Sequence, residues 1–213
     1  MAGGSKREEV RRLLRVYRRG LIDEDTLAEQ LEEIFGAGEK PLEYDGRSFP
    51  DERSMLLYLL DEYRAAEAFG AEAVGLWVEH CKLPGLRGGL RTICHREAAH
   101  AKLLAERLRE LGGECRAEIP ETVRSQACEA LRSEAVSDLQ KLQGAVAQLG
   151  GAGNKLAELR RVAENLIEDE ETKSLLLTIL DDEEATLRWL RETCAALGQE
   201  HAASEDSRPR MPA

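Results

Sequence analysis

The stretch Arg96–Gly113, REAAHAKLLAERLRELGG, decides the fold. Ile93, Leu104, Leu108 and Leu111 recur at helical spacing and define one apolar face. Glu97 and His100, one turn apart, fall on that same line, where a soluble helix ordinarily carries only apolar side chains. Two glycines, Gly112 and Gly113, stop the helix.

The same period extends outward on both sides. A helix is expected over 51–82, then a turn at Leu83–Gly89 and the quoted helix to Leu111. A third helix is expected from Pro120 to Leu149, ended by the cluster GGAG at 150–153. Apolar periodicity resumes from Asn154 to Leu197, and the acidic run EDEET at 168–172 marks a break, so 169–197 is the fourth core helix. Four helices of this length suit a four-helix bundle. Ahead of it, residues 1–36 read as a helical hairpin broken at Gly20 with Asp23 capping its second helix, and the Gly/Pro-bearing segment 37–50 reads as a linker. The polar segment 198–213 lacks any period and is expected to be disordered.

Composition agrees with an all-α protein. Of 213 residues, 42% are hydrophobic and only 4% aromatic, with strong helix formers dominating. The formal charge of −11 gives a field that repels polyanions, so neither nucleic acid nor an anionic membrane surface is an expected partner. Five cysteines without a Cys-x-x-Cys pair read as reduced thiols of a cytoplasmic protein. Lys6, Arg7, Arg11 and Arg12 have no apolar run behind them, so no signal peptide is expected there.

Each of the other expected helices also carries a carboxylate on its apolar face. Glu62 falls among Met55, Leu59, Ala66, Phe69, Ala73 and Leu76; Glu134, with Asp138 as the other candidate, interrupts Ala127, Leu131, Leu142 and Leu149. Glu183 falls among Leu176, Ile179, Leu180, Leu187 and Leu190, with Thr186 one turn further. Burying one ionised carboxylate costs several kcal/mol, and several together repel, so a compensating positive charge is required. Divalent cations bridged by carboxylates would supply it, and a Glu-x-x-His pair sets two ligands on one side of a helix. The bland alternative is that lone glutamates snorkel to the surface. His80, His95, Glu79 and Cys94 form a second grouping around the turn CKLPGLRGGLRTIC, more simply read as exposed flanking residues.

With these residues in hand, 51–197 resembles the ferritin-like di-iron carboxylate proteins. DEYRAAEAFGAEAVGL and LLLTILDDEEATLRWLRE resemble helices of demethoxyubiquinone hydroxylases, the latter also of bacterioferritin, and EAAHAKLLAERLRELGG is similar to the second helix of rubrerythrins. The resemblance implies an all-α ferritin-like four-helix bundle with iron or manganese held by Glu62, Glu97, His100, Glu134 and Glu183, Glu97 and Glu183 bridging. It also sets Thr186 where a second histidine belongs, and a hydroxyl is a poor substitute for imidazole. Such bundles need a long crossover between the second and third helices, whereas GECRAEI reaches at most ~25 Å, so simple up-down-up-down topology is the alternative. The chemistry implied by a complete or partly degenerate di-metal site is oxygen or peroxide activation. The competing expectation is a metal-free scaffold acting through protein contacts, as a homo-oligomer or through a partner bound to the N-terminal hairpin.

Overall fold

The computed structural model describes residues 6–35 and 42–206. The chain divides into two compact units, Met1–Pro50 and Asp51–Ala213. In the first, α1 (Lys6–Arg18) and α2 (Glu24–Phe35) pack as a hairpin. Gly20 takes φ +69° behind α1, its N–H donating to Tyr17 O at 2.8 Å, and Asp23 caps α2 by accepting the Thr26 N–H at 2.8 Å. The segment expected to be plain linker contains a β-hairpin instead, β1 (Leu42–Tyr44) antiparallel to β2 (Arg47–Phe49). Its turn is Asp45-Gly46 with φ values of 51° and 69°, the left-handed pair that tight hairpins favour. Residues 37–41 of that linker, and residue 36 before it, lie outside the described residues.

The second unit holds α3 (Glu52–His80), α4 (Pro84–Glu110), α5 (Glu121–Arg132), α6 (Asp138–Glu164) and α7 (Glu170–Asp206). Only Cys81–Leu83 separate α3 from α4, a shorter turn than expected, because Pro84 starts the next helix and takes its glycines into it. Gly89 is one of them: a Cβ there would overlap the Trp189 indole, so glycine lets α4 and α7 approach.

The expected third helix is two helices, and this resolves the topology. The end of α4 lies at the start of α3, where Arg53 donates to Leu111 O at 2.6 Å. From there the chain climbs α3. The N–H groups of Arg116 and Ala117 donate to Asp61 Oδ2 at 2.9 and 2.7 Å. Arg124 on α5 then pairs with Glu72 at 2.8 Å. Asp138, at the start of α6, accepts from Trp77 Nε1 at 3.0 Å and from the Lys82 N–H at 2.8 Å. Residues 111–137 are therefore the long crossover of the ferritin-like resemblance, and GECRAEI is only part of it. The new helix start is cut by a capping box in which Ser137 accepts from the Gln140 N–H and the Gln140 side chain accepts from the Ser137 N–H. Buried Lys141 fixes the corner by donating to Leu131 O at 2.7 Å.

Helix α6 runs through GGAG without stopping, contrary to expectation. Mid-helix glycine costs only about 1 kcal/mol, and α6 is packed on α7 with Leu142, Leu159 and Ala163 buried. The break comes at 165–169, next to the acidic run. Glu52, at the start of α3, accepts the N–H groups of Ile167, Glu168 and Asp169 at 2.9–3.1 Å, while Asp169 caps α7 through the Thr172 N–H at 2.9 Å. Thus α6 descends beside α4's direction and α7 returns parallel to α3. Helix α7 continues to Asp206 through part of the segment expected to be disordered; 207–213 lie outside the described residues. Leu59, Leu60, Leu104, Leu108, Leu142, Leu176 and Leu180 are essentially fully buried in the core. No helix is long and apolar enough to cross a membrane, among the described residues.

Candidate metal centre

Midway along the bundle, α3, α4 and α7 turn one acidic or basic side chain after another inward. On α4 the buried line Leu90, Ile93, His100, Leu104, Leu108 passes through Glu97, as expected. On α7 the buried line Leu176, Ile179, Leu180, Leu187, Leu190 passes through Glu183, whose side chain is 14% exposed. On α3 the buried residues include Leu56, Leu60, Glu67 and Trp77. Glu67, only 6% exposed, is the first-helix carboxylate of the centre. Glu62 is exposed and lies about 140° round the helix from Glu67, so it is removed from the expected ligand set. Glu134 is removed as well: it sits in the corner between α5 and α6, 72% exposed and 3.7 Å from Lys82. Asp138, the other third-helix candidate, is committed to Trp77 and Lys82 at the bundle's end.

What remains is compact. Ligand atoms of Glu67, His100 and Glu183 all lie within 4.8 Å of one another, the sole such convergence of His, Cys, Asp and Glu among the described residues. The grouping around His80 and His95 does not form one: His80 Nδ1 lies 2.9 Å from Leu76 O, and Cys94 donates to Ala71 O at 3.3 Å. His100 Nδ1 faces Glu67 Oε2 at 3.1 Å and Glu183 Oε1 at 3.5 Å, while Nε2 lies 3.2 Å from Asp182 Oδ2. Glu97 lies near enough for the charges of Glu183, Glu67 and His100 to act on it. Its carboxylate rests over Gly70, where any Cβ would overlap it. Glu97 Oε2 and Glu183 Oε1 are buried without a hydrogen-bond partner among the described residues.

The electrostatics report the same crowding. Burial pushes the Glu97 carboxyl up to about 8, reinforced by the charges of Glu183 and Glu67. Glu67 is also raised, by burial first, although the His100 imidazole hydrogen-bonds to it and opposes the shift. For His100, burial works against protonation, but Glu183, Glu67 and Asp182 outweigh it and raise the imidazole to about 10. Carboxylates are thus held at a cost that a cation would relieve. The two orphaned oxygens of Glu97 and Glu183, the Glu67 carboxylate and the His100 imidazole form a donor set suited to iron or manganese.

The last expected position, residue 186, carries no imidazole. Thr186 is buried, and its hydroxyl accepts a hydrogen bond from the Arg96 guanidinium. Arg96 also donates to Asp182 O at 3.1 Å and lies 3.5 Å from Asp182 Oδ1.

Glu67 was legible in principle, being four residues after Tyr63 and seven after Leu60. It was hidden because the apolar alanines and Phe69 of α3 suggest a stripe rotated from the true one. No curated protein matches the chain. Residues 72–199, more than half of the chain, match the ferritin-like domain family, which agrees with the crossover and the helix order. The chain therefore belongs to the ferritin-like domain family.

Proposed function

We propose that this ferritin-like protein binds iron or manganese in a partly degenerate centre made by Glu67, Glu97, His100 and Glu183. The observation that carries the reading is that Glu97 Oε2 and Glu183 Oε1 are buried without a hydrogen bond among the described residues, Glu183 Oε1 having only the His100 imidazole at 3.5 Å, beside Glu67. A buried acceptor left without a partner costs about 1–3 kcal/mol, more when charged, so a structure that keeps two of them together has a use for them. His100 turns Nδ1 toward the carboxylates and Nε2 toward Asp182. A bound metal would be held by His100 through Nδ1, with the Nε2–H donating to Asp182 and fixing the tautomer and the ring plane. Gly70 leaves room for the Glu97 carboxylate. Bound iron would supply oxygen or peroxide activation.

A second reading has its own support. Protonated His100 between Glu67, Asp182 and Glu183 neutralises part of the acidic charge without any metal. The chain would then be a metal-free scaffold working as a homo-oligomer or through a partner of the α1–α2 hairpin. Elemental analysis after expression in medium supplemented with iron and manganese separates the two. The metal reading expects about one equivalent per chain in wild type, unchanged in Glu62→Gln and lost in Glu67→Gln. Less than a tenth of an equivalent in all three proteins favours the scaffold.

A further inference from the structure

We infer that Arg96 stands in for a second cation, so that the centre accepts one divalent ion where the fold family's pattern would accept two. The inference rests on the reading of the centre as a metal site. Thr186 stands one turn after Glu183, in the place from which a second imidazole would reach the centre. That place is filled. The Arg96 guanidinium donates to the Thr186 hydroxyl and to Asp182 O, and approaches Asp182 Oδ1 at 3.5 Å. Asp182 also faces His100 Nε2, so the guanidinium and the imidazole share one carboxylate.

Charge favours the substitution. Glu67, Glu97 and Glu183 are the buried carboxylates, and one divalent ion with one guanidinium balances all three. Asp182 is 45% exposed and is screened by water. Two divalent ions beside a fixed guanidinium would leave the buried group with excess positive charge, which is as costly as excess negative charge. The ligand inventory agrees. Helix α6 supplies no acidic side chain to the group among the described residues, so an outer carboxylate for a second ion is missing along with the imidazole. The placement of Arg96 is itself costly enough to need a reason: the Arg96 Nε is buried with no partner among the described residues.

The test is a count of Mn2+ bound per full-length chain, by equilibrium dialysis against MnCl2 and native mass spectrometry. Wild type and Arg96→Lys, which keeps the charge, are expected to take one Mn2+. Arg96→Met combined with Thr186→His is expected to take two, the second more weakly because α6 supplies it no carboxylate among the described residues. Should the double variant not fold, Arg96→Met alone still reads the effect. Loss of a positive charge from the rim should tighten the first Mn2+ at least roughly threefold, whereas loss of a merely structural contact should loosen it. Two Mn2+ in wild type, one in the folded double variant, or weaker binding in Arg96→Met would each overturn the inference while leaving the metal reading intact. No Mn2+ in wild type would overturn the metal reading itself, and this inference with it.

Discussion

His100→Ala is expected to lower Mn2+ affinity by at least roughly 100-fold while leaving the protein folded. Residues that only orient a metal ligand already contribute 10–100-fold, and His100 is the one imidazole of the group, in reach of Glu67 and Glu183 together. Its loss also takes one partner from Asp182, which keeps Arg96, and withdraws the imidazole's hydrogen bond from Glu67. The residue is 5% exposed, so truncation opens a cavity, but a polar one that water can enter from the half-exposed Asp182 side. Stability should therefore change far less than affinity. A titration monitored by Mn2+ electron paramagnetic resonance, paired with circular dichroism melting, separates the two effects. Equal affinity in His100→Ala and wild type would remove the imidazole from the site.

The largest stability effect is expected at Asp169, where three elements meet. Its carboxylate caps α7 through the Thr172 N–H at 2.9 Å, accepts the Thr172 hydroxyl at 2.5 Å and takes Arg107 of α4 in a two-pronged pair at 2.9 and 3.0 Å. Both side chains of that pair are nearly buried, at 14% and 13% exposure. A lost cap costs about 1 kcal/mol, and breaking a buried pair costs about 3–5 kcal/mol. Arg107 keeps Glu110 and Glu171 at the surface, which places Asp169→Ala near the lower figure, about 3 kcal/mol, or roughly 6–12 °C in Tm for a chain of this size. Asp169→Asn keeps a cap and loses the charge, and should fall between. Burial pushes the Asp169 carboxyl up, but the Thr172 hydrogen bonds and Arg107 outweigh it and hold it below its ordinary 3.8. A depressed folded pKa means stability present above the ordinary value and lost as pH falls through the folded one. The difference between wild type and Asp169→Ala in urea should accordingly shrink in acid below about pH 4. A constant difference down to pH 2 would show that the carboxylate's charge is not what stabilises the corner.

The helices themselves were the most legible part of the sequence. The apolar line on α7 was correct to the residue and that on α4 in all but Leu111, the half-buried cap of the helix, because Leu and Ile mark the buried face there, and the two lines brought Glu97, His100 and Glu183 with them. Helix α3 misled because alanine is small enough to sit on either face: Ala66 is exposed and Ala73 buried, so Glu62 looked inward and Glu67 did not. The third helix misled for a different reason. Its apolar period passes almost unbroken from α5 into α6, and the interruption is written in the Ser137–Gln140 capping box, a polar signal that a hydrophobic stripe ignores. Glu134 fell on that false continuation. The Asp45-Gly46 turn was equally written in the chain, but its strands are three residues each, too short to declare an alternation. Arg96 could not have been found this way. Nothing local says that its guanidinium crosses to Thr186, ninety positions along the chain.

The centre is tested most directly by anomalous diffraction from crystals of the full chain grown with MnCl2, with data collected at the manganese edge. The account predicts one anomalous peak per chain, bounded by Glu67, Glu97, His100 Nδ1 and Glu183, with the Arg96 guanidinium still on Thr186. Absence of any peak at that position, with the four side chains placed as described above, would contradict it.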